Sequence, residues 1–99
     1  YTPYHPAVLR SIRSVIAAAK AAGIPVGMCG EAAADPRLTP LLLHWGLDEF
    51  SVSAASVLST RAQISRWHSR EAARVEEEAM KLSTAAGVQG YLEASSKSV

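Results

Sequence analysis

The chain has 99 residues, 48% of them hydrophobic and 19% charged, and its formal net charge is +1. This length allows one small domain, and the composition excludes a disordered charged tail. A charge so small and dispersed argues against a nucleic-acid partner, and we expect neither a membrane span nor a secretory signal because no long apolar run or leader pattern occurs.

The N-terminal residues predict an extended lead-in followed by an amphipathic helix. Thr2 and His5 each precede a proline, which disfavours helical backbone angles over residues 1–5. Pro6 opens the helix, and Gly23 lies just past its end. The apolar residues of this helix recur at three- and four-residue steps, as on a face that packs against a core: Val8, Leu9, Ile12, Val15, Ile16 and Ala19.

A short strand and a second helix follow. Residues 24–29 are mostly apolar and too few for a helix, which predicts a buried parallel strand. The small residues 32–34 predict a loop. Asp35 and Pro36 are typical of an N-cap and a first helical turn, and we expect this helix to end at about Trp45, just before a glycine.

The rest of the chain predicts one strand and two long helices. Residues 47–53 contain alternating apolar side chains, which is typical of a strand, and residues 55–67 favour a helix. Residues 69–86 predict another helix, with Ser69 as its cap. We expect Gly87 to break that helix, leaving a further turn or two before a frayed tail rich in serine and lysine.

The predicted order is helix, strand, helix, strand, helix, helix. Such alternation is typical of βαβ units with a parallel sheet, so the fold class is α/β. Two strands alone cannot make a buried parallel sheet, because such a sheet needs both faces covered and its edges paired. We therefore expect these to be the last two βα units, with extra C-terminal helices, of a larger fold such as an eight-stranded TIM-type barrel of about 250 residues.

The only cysteine, Cys29, stands at the end of the first predicted strand, between Gly27-Met28 and Gly30-Glu31. Strand ends are where α/β folds place their chemistry, and the flanking glycines let a ligand approach the backbone closely. A working thiol and a buried residue that packs as a small hydrophobe are both open interpretations. One cysteine cannot form an internal disulfide, so we expect a reducing, cytoplasmic setting.

Four stretches resemble the C-terminal end of the phosphoenolpyruvate-binding barrel of enzyme I, the phosphoenolpyruvate-protein phosphotransferase family that starts the bacterial sugar phosphotransferase system. They are YTPYHPAVLRSI at 1–12, VGMCGE at 26–31, DPR at 35–37 and LLLHWGLDEFSVSA at 41–54. The resemblance covers about residues 1–66, and it implies that residues 1–99 are a C-terminal fragment of such a barrel domain. Pyruvate phosphate dikinase and phosphoenolpyruvate synthase share a Gly-x-Cys-Gly element and remain an alternative.

The resemblance implies a specific role for Cys29. In that family phosphoenolpyruvate passes its phosphoryl group to a histidine on a separate swivelling domain, and the remaining enolate of pyruvate must be protonated at carbon. A free cysteine thiol has an ordinary pKa of about 8.5, so it is mostly protonated at neutral pH and can supply that proton. We expect the backbone of Gly27, Met28 and Gly30 to approach the pyruvate moiety. Glu31 either helps to position ligand or backbone or serves as a local acceptor.

Other parts of such an enzyme are not in this chain. The resemblance implies that the phosphate-binding arginines and the carboxylates that hold Mg²⁺ come from earlier barrel strands. The phosphorylated histidine lies in another domain, which passes the phosphoryl group to a phosphocarrier protein. We therefore expect the 99 residues to be inactive alone. The alternative is a non-catalytic interaction or dimerisation module derived from the same barrel, because unpaired strand edges seek partners.

We expect structural roles for the histidines, the acidic run and the tryptophans. The three histidines lack the spacing of a zinc site: His5, His44 and His68. The acidic run 76–78 has basic residues within one helical turn, which is typical of a solvated helix face. Trp45 and Trp67 are predicted to be packing residues. His44-Trp45 replaces a glycine-containing pair of the family, and its bulk is expected to alter packing against a neighbouring helix or subunit.

Overall fold

The computed structural model describes residues 2–96, which form six α-helices and two short strands. In chain order they are α1 (Pro6–Ala21), β1 (Gly27–Cys29), α2 (Glu31–Ala34), α3 (Thr39–Trp45), β2 (Glu49–Ser51), a 3₁₀ turn (Ala54–Ser56), α4 (Val57–Arg66), α5 (Ser69–Ala79) and α6 (Ala85–Ser95). Tyr1 of the predicted lead-in and residues 97–99 of the predicted tail lie outside the described residues.

Helix α1 begins and ends where the sequence predicts. The extended backbone of His5 precedes it, and Nδ1 of that histidine accepts a hydrogen bond from the Ala7 N–H at 3.1 Å. This contact satisfies one of the amide donors that the first turn of a helix leaves free. Leu9 and Ile16 lie on the inner face and are almost fully buried, and the chain turns at Gly23.

The two strands are parallel, and α2 and α3 connect them, which confirms the predicted βαβ arrangement. Gly27 pairs with Glu49, Met28 with Phe50, and Cys29 with Ser51. Each strand has only three residues. The sequence predicted that β1 would be buried, and this prediction is wrong. Only the central residue of β1 is half-buried, since no described segment pairs with the outer edge of either strand.

The connection between the strands differs from the prediction at its start. A short helix, α2, replaces the predicted loop over residues 32–34. The Asp35 carboxylate accepts the Arg37 backbone N–H at 2.9 Å, so Asp35 and Pro36 form a turn instead of starting a helix. Helix α3 begins at Thr39, with the next proline in its first turn, and ends before Gly46 as predicted.

The prediction of a single helix over residues 69–86 is wrong, because this part of the chain contains α5 and the start of α6, which are separate helices. Thr84 caps α6, and its Oγ1 accepts the Gly87 N–H at 3.0 Å. Gly87 therefore lies in the first turn of a helix and does not mark a break. At α5 the N-cap position is occupied by His68, not by Ser69, and its side chain makes no capping hydrogen bond.

The hydrophobic core lies between the helices, and the sheet packs against it through the partly buried Met28 and Phe50. The buried apolar residues form one cluster: Tyr4, Leu9, Ile16, Leu38, Leu41, Leu42, Leu47, Val75, Ala79, Val88 and Leu92. Mostly helical with a small parallel sheet, the structure is compatible with part of an α/β domain. None of the helices over residues 2–96 is long and apolar enough to cross a membrane.

Candidate functional site

Cys29 lies at the carboxyl end of β1, opposite Ser51 at the carboxyl end of β2. Its free thiol is exposed, so a role as a buried packing residue does not describe it in this structure. Parallel sheets place ligands beyond the carboxyl ends of their strands, and the thiol lies at that end of the sheet. The arrangement leaves the sulfur accessible to a molecule bound there.

The glycines on either side of Cys29 are needed for different reasons. Gly30 has a φ of 86° and a ψ of −164°, angles that side-chain-bearing residues rarely adopt. At Gly27 a side chain would meet the neighbouring strand, since a Cβ there would lie 3.3 Å from Cβ of Glu49. Gly27 is exposed and Met28 packs against the core. Their predicted backbone contacts with substrate stay a prediction.

Glu31 is the first residue of α2, close to the thiol in sequence and exposed to solvent. Within residues 2–96 no hydrogen bond or ion pair engages its carboxylate, so it has no partner as a local acceptor. The predicted role of Glu31 in positioning a ligand stays a prediction.

The sequence did not predict the hydrogen-bonded network at the C-terminal end of α2, which joins Tyr4, Asp35, Arg37 and Glu93. Arg37 donates to the Asp35 carboxylate from Nε at 3.1 Å and to the Glu93 carboxylate from Nη1 at 2.8 Å. The Tyr4 hydroxyl also donates to Asp35, and the Arg37 guanidinium lies 5.0 Å from the centre of the Tyr4 ring. Burial, followed by the hydrogen bond to Asp35, raises the pKa of Tyr4. The hydrogen bond to Asp35 raises the pKa of Arg37.

The opposite end of the sheet is closed by an ion pair. Asp48 accepts the Val26 N–H at 2.8 Å and pairs with Nζ of Lys20 at 2.9 Å. The hydrogen bond from Lys20, and then that from Val26, lowers the pKa of Asp48. This end of the sheet therefore carries a salt bridge and a hydrogen bond to the backbone, while the exposed Cys29 lies at the other end.

Residues 2–96 contain no group of three His, Cys, Asp or Glu side chains that could hold a metal ion. The Mg²⁺ ligands that the resemblance implies are expected from earlier barrel strands, and this stays a prediction. His44 and His68 line the same cavity of about 270 Å³, whose wall also includes Trp67.

The predicted packing role of Trp45 is confirmed, because its side chain is partly buried against the core, and it also contacts α5 of the same chain. Nε1 of Trp45 donates to Oε2 of Glu76 at 2.7 Å. Glu76 also pairs with Arg13 at 3.5 Å, and its side chain is only 12% exposed. The predicted solvated face is therefore correct for Glu77 and Glu78, which pair with a lysine at the surface, and wrong for Glu76.

Comparison with known proteins connects this chain to a family. Residues 1–69 match the family described as "PEP-utilising enzyme, PEP-binding domain". The chain is 51% identical over 92 residues to the phosphoenolpyruvate-protein phosphotransferase of Geobacillus stearothermophilus, covering 93% of this chain and 16% of that protein. It is 48% identical over 92 residues to the Bacillus subtilis enzyme of the same name, with the same coverage of both chains.

The enzyme of that name from Lactococcus lactis is 54% identical over 71 residues, covering 72% of this chain and 12% of the relative. The chain therefore spans about 16% of the length of the relatives that match most of it. Matches over 92 residues also extend past residue 66, where the resemblance read from the sequence ended. The later helices thus share more than helical character with these proteins.

Proposed function

This chain belongs to the PEP-utilising enzymes, and we propose that it is part of a phosphoenolpyruvate-protein phosphotransferase in which Cys29 protonates enolpyruvate at carbon. Over 92 aligned residues it is 51% and 48% identical to two enzymes with that name. The observation that carries the proposal is the exposed thiol at the carboxyl end of a strand in a parallel βαβ unit.

The proposed reaction has two steps. Phosphoryl transfer breaks the bond between phosphorus and the enol oxygen and forms a bond from phosphorus to a histidine nitrogen on another domain. The electron pair stays on the enolate. The methylene carbon of the enolate then takes the proton from Sγ of Cys29, which produces the methyl group of pyruvate. The resulting thiolate regains a proton from water, and the exposure of Cys29 supports such an exchange.

We propose that further βα units pair with both outer edges of the sheet, as in an eight-stranded barrel. Val15, Ile24 and Leu58 are 62%, 59% and 79% exposed, which is high for large apolar side chains. Val15 lines an open apolar groove of about 220 Å³ along the edge of β1. A barrel would cover this groove and satisfy the unpaired backbone groups of both strands.

The other parts of the reaction are proposed to lie outside this chain. They are the groups that bind the phosphate of phosphoenolpyruvate, the ligands of Mg²⁺, the phosphorylated histidine and the surface for a phosphocarrier protein. Cys29 can protonate the enolate when these groups come from distant parts of a longer protein. On its own, the 99-residue chain is expected to release no pyruvate from phosphoenolpyruvate.

The test is a hybrid enzyme in which this chain replaces the matching 92 residues of the Geobacillus stearothermophilus relative. We expect Cys29→Ala to leave the rate of phosphoryl transfer to the enzyme within about twofold and to slow pyruvate formation about 100-fold or more, because a positioned general acid is lost. Rapid-quench measurements of phosphoenzyme and pyruvate separate the two steps.

The matched control is Ser51→Ala, which changes the exposed residue opposite Cys29 and leaves the thiol in place. Its pyruvate formation should remain within about threefold of the unsubstituted hybrid enzyme, since no general acid is removed. Pyruvate formation at an unchanged rate in Cys29→Ala would exclude Cys29 as the proton donor.

A further inference from the structure

We propose that Arg37 is a positioning residue for the Cys29 thiol, an inference that rests on the proposed function. Arg37 contacts Asp35 through three hydrogen bonds: its backbone N–H at 2.9 Å, Nε at 3.1 Å and Nη2 at 3.4 Å. The side chain of Asp35 is only 12% exposed. These contacts hold Asp35 in place, and Asp35 is the last residue of the segment 30–35 that follows the thiol.

The segment between Cys29 and Asp35 leaves little freedom for independent movement. Gly30, directly after the thiol, is the N-cap of α2, and Asp35 is the C-cap of the same helix. A helix of four residues is not stable by itself, so contacts at its ends and on its inner face determine where it lies. Ala33 is fully buried on that inner face. The position of Asp35 therefore holds the far end of the segment that begins at Cys29.

Arg37 is itself held by two distant parts of the chain. Its Nη1 donates to Oε1 of Glu93 in α6 at 2.8 Å, and Nε2 of Gln89 donates to the same oxygen at 3.2 Å. Its guanidinium also stacks over the ring of Tyr4, whose hydroxyl donates to Asp35. Helix α6 lies beyond residues 1–69, which match the PEP-binding domain. Through Arg37, this helix contributes to the geometry of the site.

An arginine suits this position better than a lysine. The guanidinium provides several donors in a fixed plane, so it bonds two carboxylates while its charge lies over the face of an aromatic ring. A lysine keeps the charge but offers a single donor atom. Arg37→Lys should therefore recover only part of the positioning, whereas Arg37→Gln should lose most of it.

The activity test uses the hybrid enzyme described above. We expect Arg37→Gln to slow pyruvate formation about tenfold at saturating phosphoenolpyruvate, because small misplacements of a reacting group cost this much. The KM and the rate of phosphoryl transfer should stay within about twofold, and Arg37→Lys should give an intermediate rate. Arg74→Gln, which changes an exposed arginine on α5, is the matched control and should have no effect.

A second measurement uses the 99-residue chain itself. Amide hydrogen exchange over residues 30–38 should be faster in both Arg37→Gln and Glu93→Gln, while exchange in α5 stays unchanged. Glu93 is about half exposed, so its replacement by glutamine is mild and keeps the test valid if Arg37→Gln prevents folding. In the hybrid enzyme Glu93→Gln should slow pyruvate formation about two- to threefold.

The outcomes separate the two proposals. Slow pyruvate formation in Cys29→Ala with normal formation in both Arg37→Gln and Glu93→Gln would overturn the role of Arg37 alone. Normal formation in Cys29→Ala would overturn the proposed function, and the role of Arg37 with it. An equal loss of phosphoryl transfer and pyruvate formation in Arg37→Gln would also overturn positioning, because it would indicate a general loss of structure.

Discussion

Gly30 determines the path of the backbone directly after the thiol. Its φ of 86° and ψ of −164° lie in a region open almost only to glycine. Among the described residues, apart from its two chain neighbours, no atom lies within 4 Å of a Cβ built at this position, so space is not the reason for a glycine. Any side chain here would be opposed by backbone strain alone.

Gly30→Ala should therefore lower the free energy of unfolding by about 1–3 kcal/mol, the cost of forcing an L-residue into this conformation. Gly90→Ala is the matched control, because Gly90 lies inside α6, has ordinary helical angles and also has no atom within 4 Å of a built Cβ. That substitution should raise the free energy of unfolding by about 0.5–1 kcal/mol. Urea denaturation of the two variants measures both, and a stabilised Gly30→Ala variant would contradict the strain argument.

At this scale the sequence predicted the thiol but not its surroundings. Cys29 and its glycines are adjacent in the chain, so their pattern is visible in one short stretch. Arg37 and Glu93 are 56 positions apart, and only the packing of α6 brings them together. The one local signal was the Asp-Pro-Arg order, since an aspartate often accepts the backbone N–H two residues on.

At the scale of elements, local signals predicted α1 and the parallel βαβ unit, and missed the boundary between α5 and α6. Gly87 suggested a break, but glycine is tolerated inside a helix at a cost of about 1 kcal/mol. Thr84 supplied the decisive capping contact three residues earlier. Trp45 and Glu76 show the same limit, because their hydrogen bond joins α3 to α5 across 31 positions of sequence.

Helix α1 is attached to the sheet through the Lys20–Asp48 pair, which gives the stability of the chain a dependence on pH. The contacts with Lys20 and Val26 lower the pKa of Asp48 below its ordinary value of 3.8. A carboxyl group whose pKa is lower in the folded state stabilises that state above the unfolded value and loses this contribution as the pH falls through the folded value.

Asp48→Asn should therefore be less stable than the unsubstituted chain between pH 5 and 7, and the difference should shrink below about pH 3.8 as Asp48 itself becomes protonated. Urea midpoints measured from pH 2.5 to 7 provide the comparison. Glu49→Gln, at the neighbouring exposed position, is the control and should not change the pH profile. A difference that stays constant down to the lowest pH would show that Asp48 acts without its charge.

At the scale of the whole molecule, large exposed apolar side chains lie where the proposed neighbouring unit would pack. Val15 is 62% exposed and lines the groove beside β1, together with Ile12, Val26 and Met28. In a chain of 99 residues a single core is modest, so these side chains add little to its stability while they face water. In a closed barrel the same side chains would be buried.

The effect of Val15→Ser should consequently depend on the context of the chain. In the 99-residue chain it should change the free energy of unfolding by less than about 0.5 kcal/mol, since an exposed side chain contributes little. In the hybrid enzyme it should lower that free energy by about 1.5–3 kcal/mol, because a buried valine is lost. Ala17→Ser, on an exposed part of α1, should lower the free energy of unfolding by about 0.5 kcal/mol or less in both, through helix propensity alone. Sedimentation velocity of the 99-residue chain is measured alongside, because self-association would bury Val15 without a barrel. A neutral Val15→Ser in the hybrid enzyme would contradict the packing of a neighbouring unit in this groove.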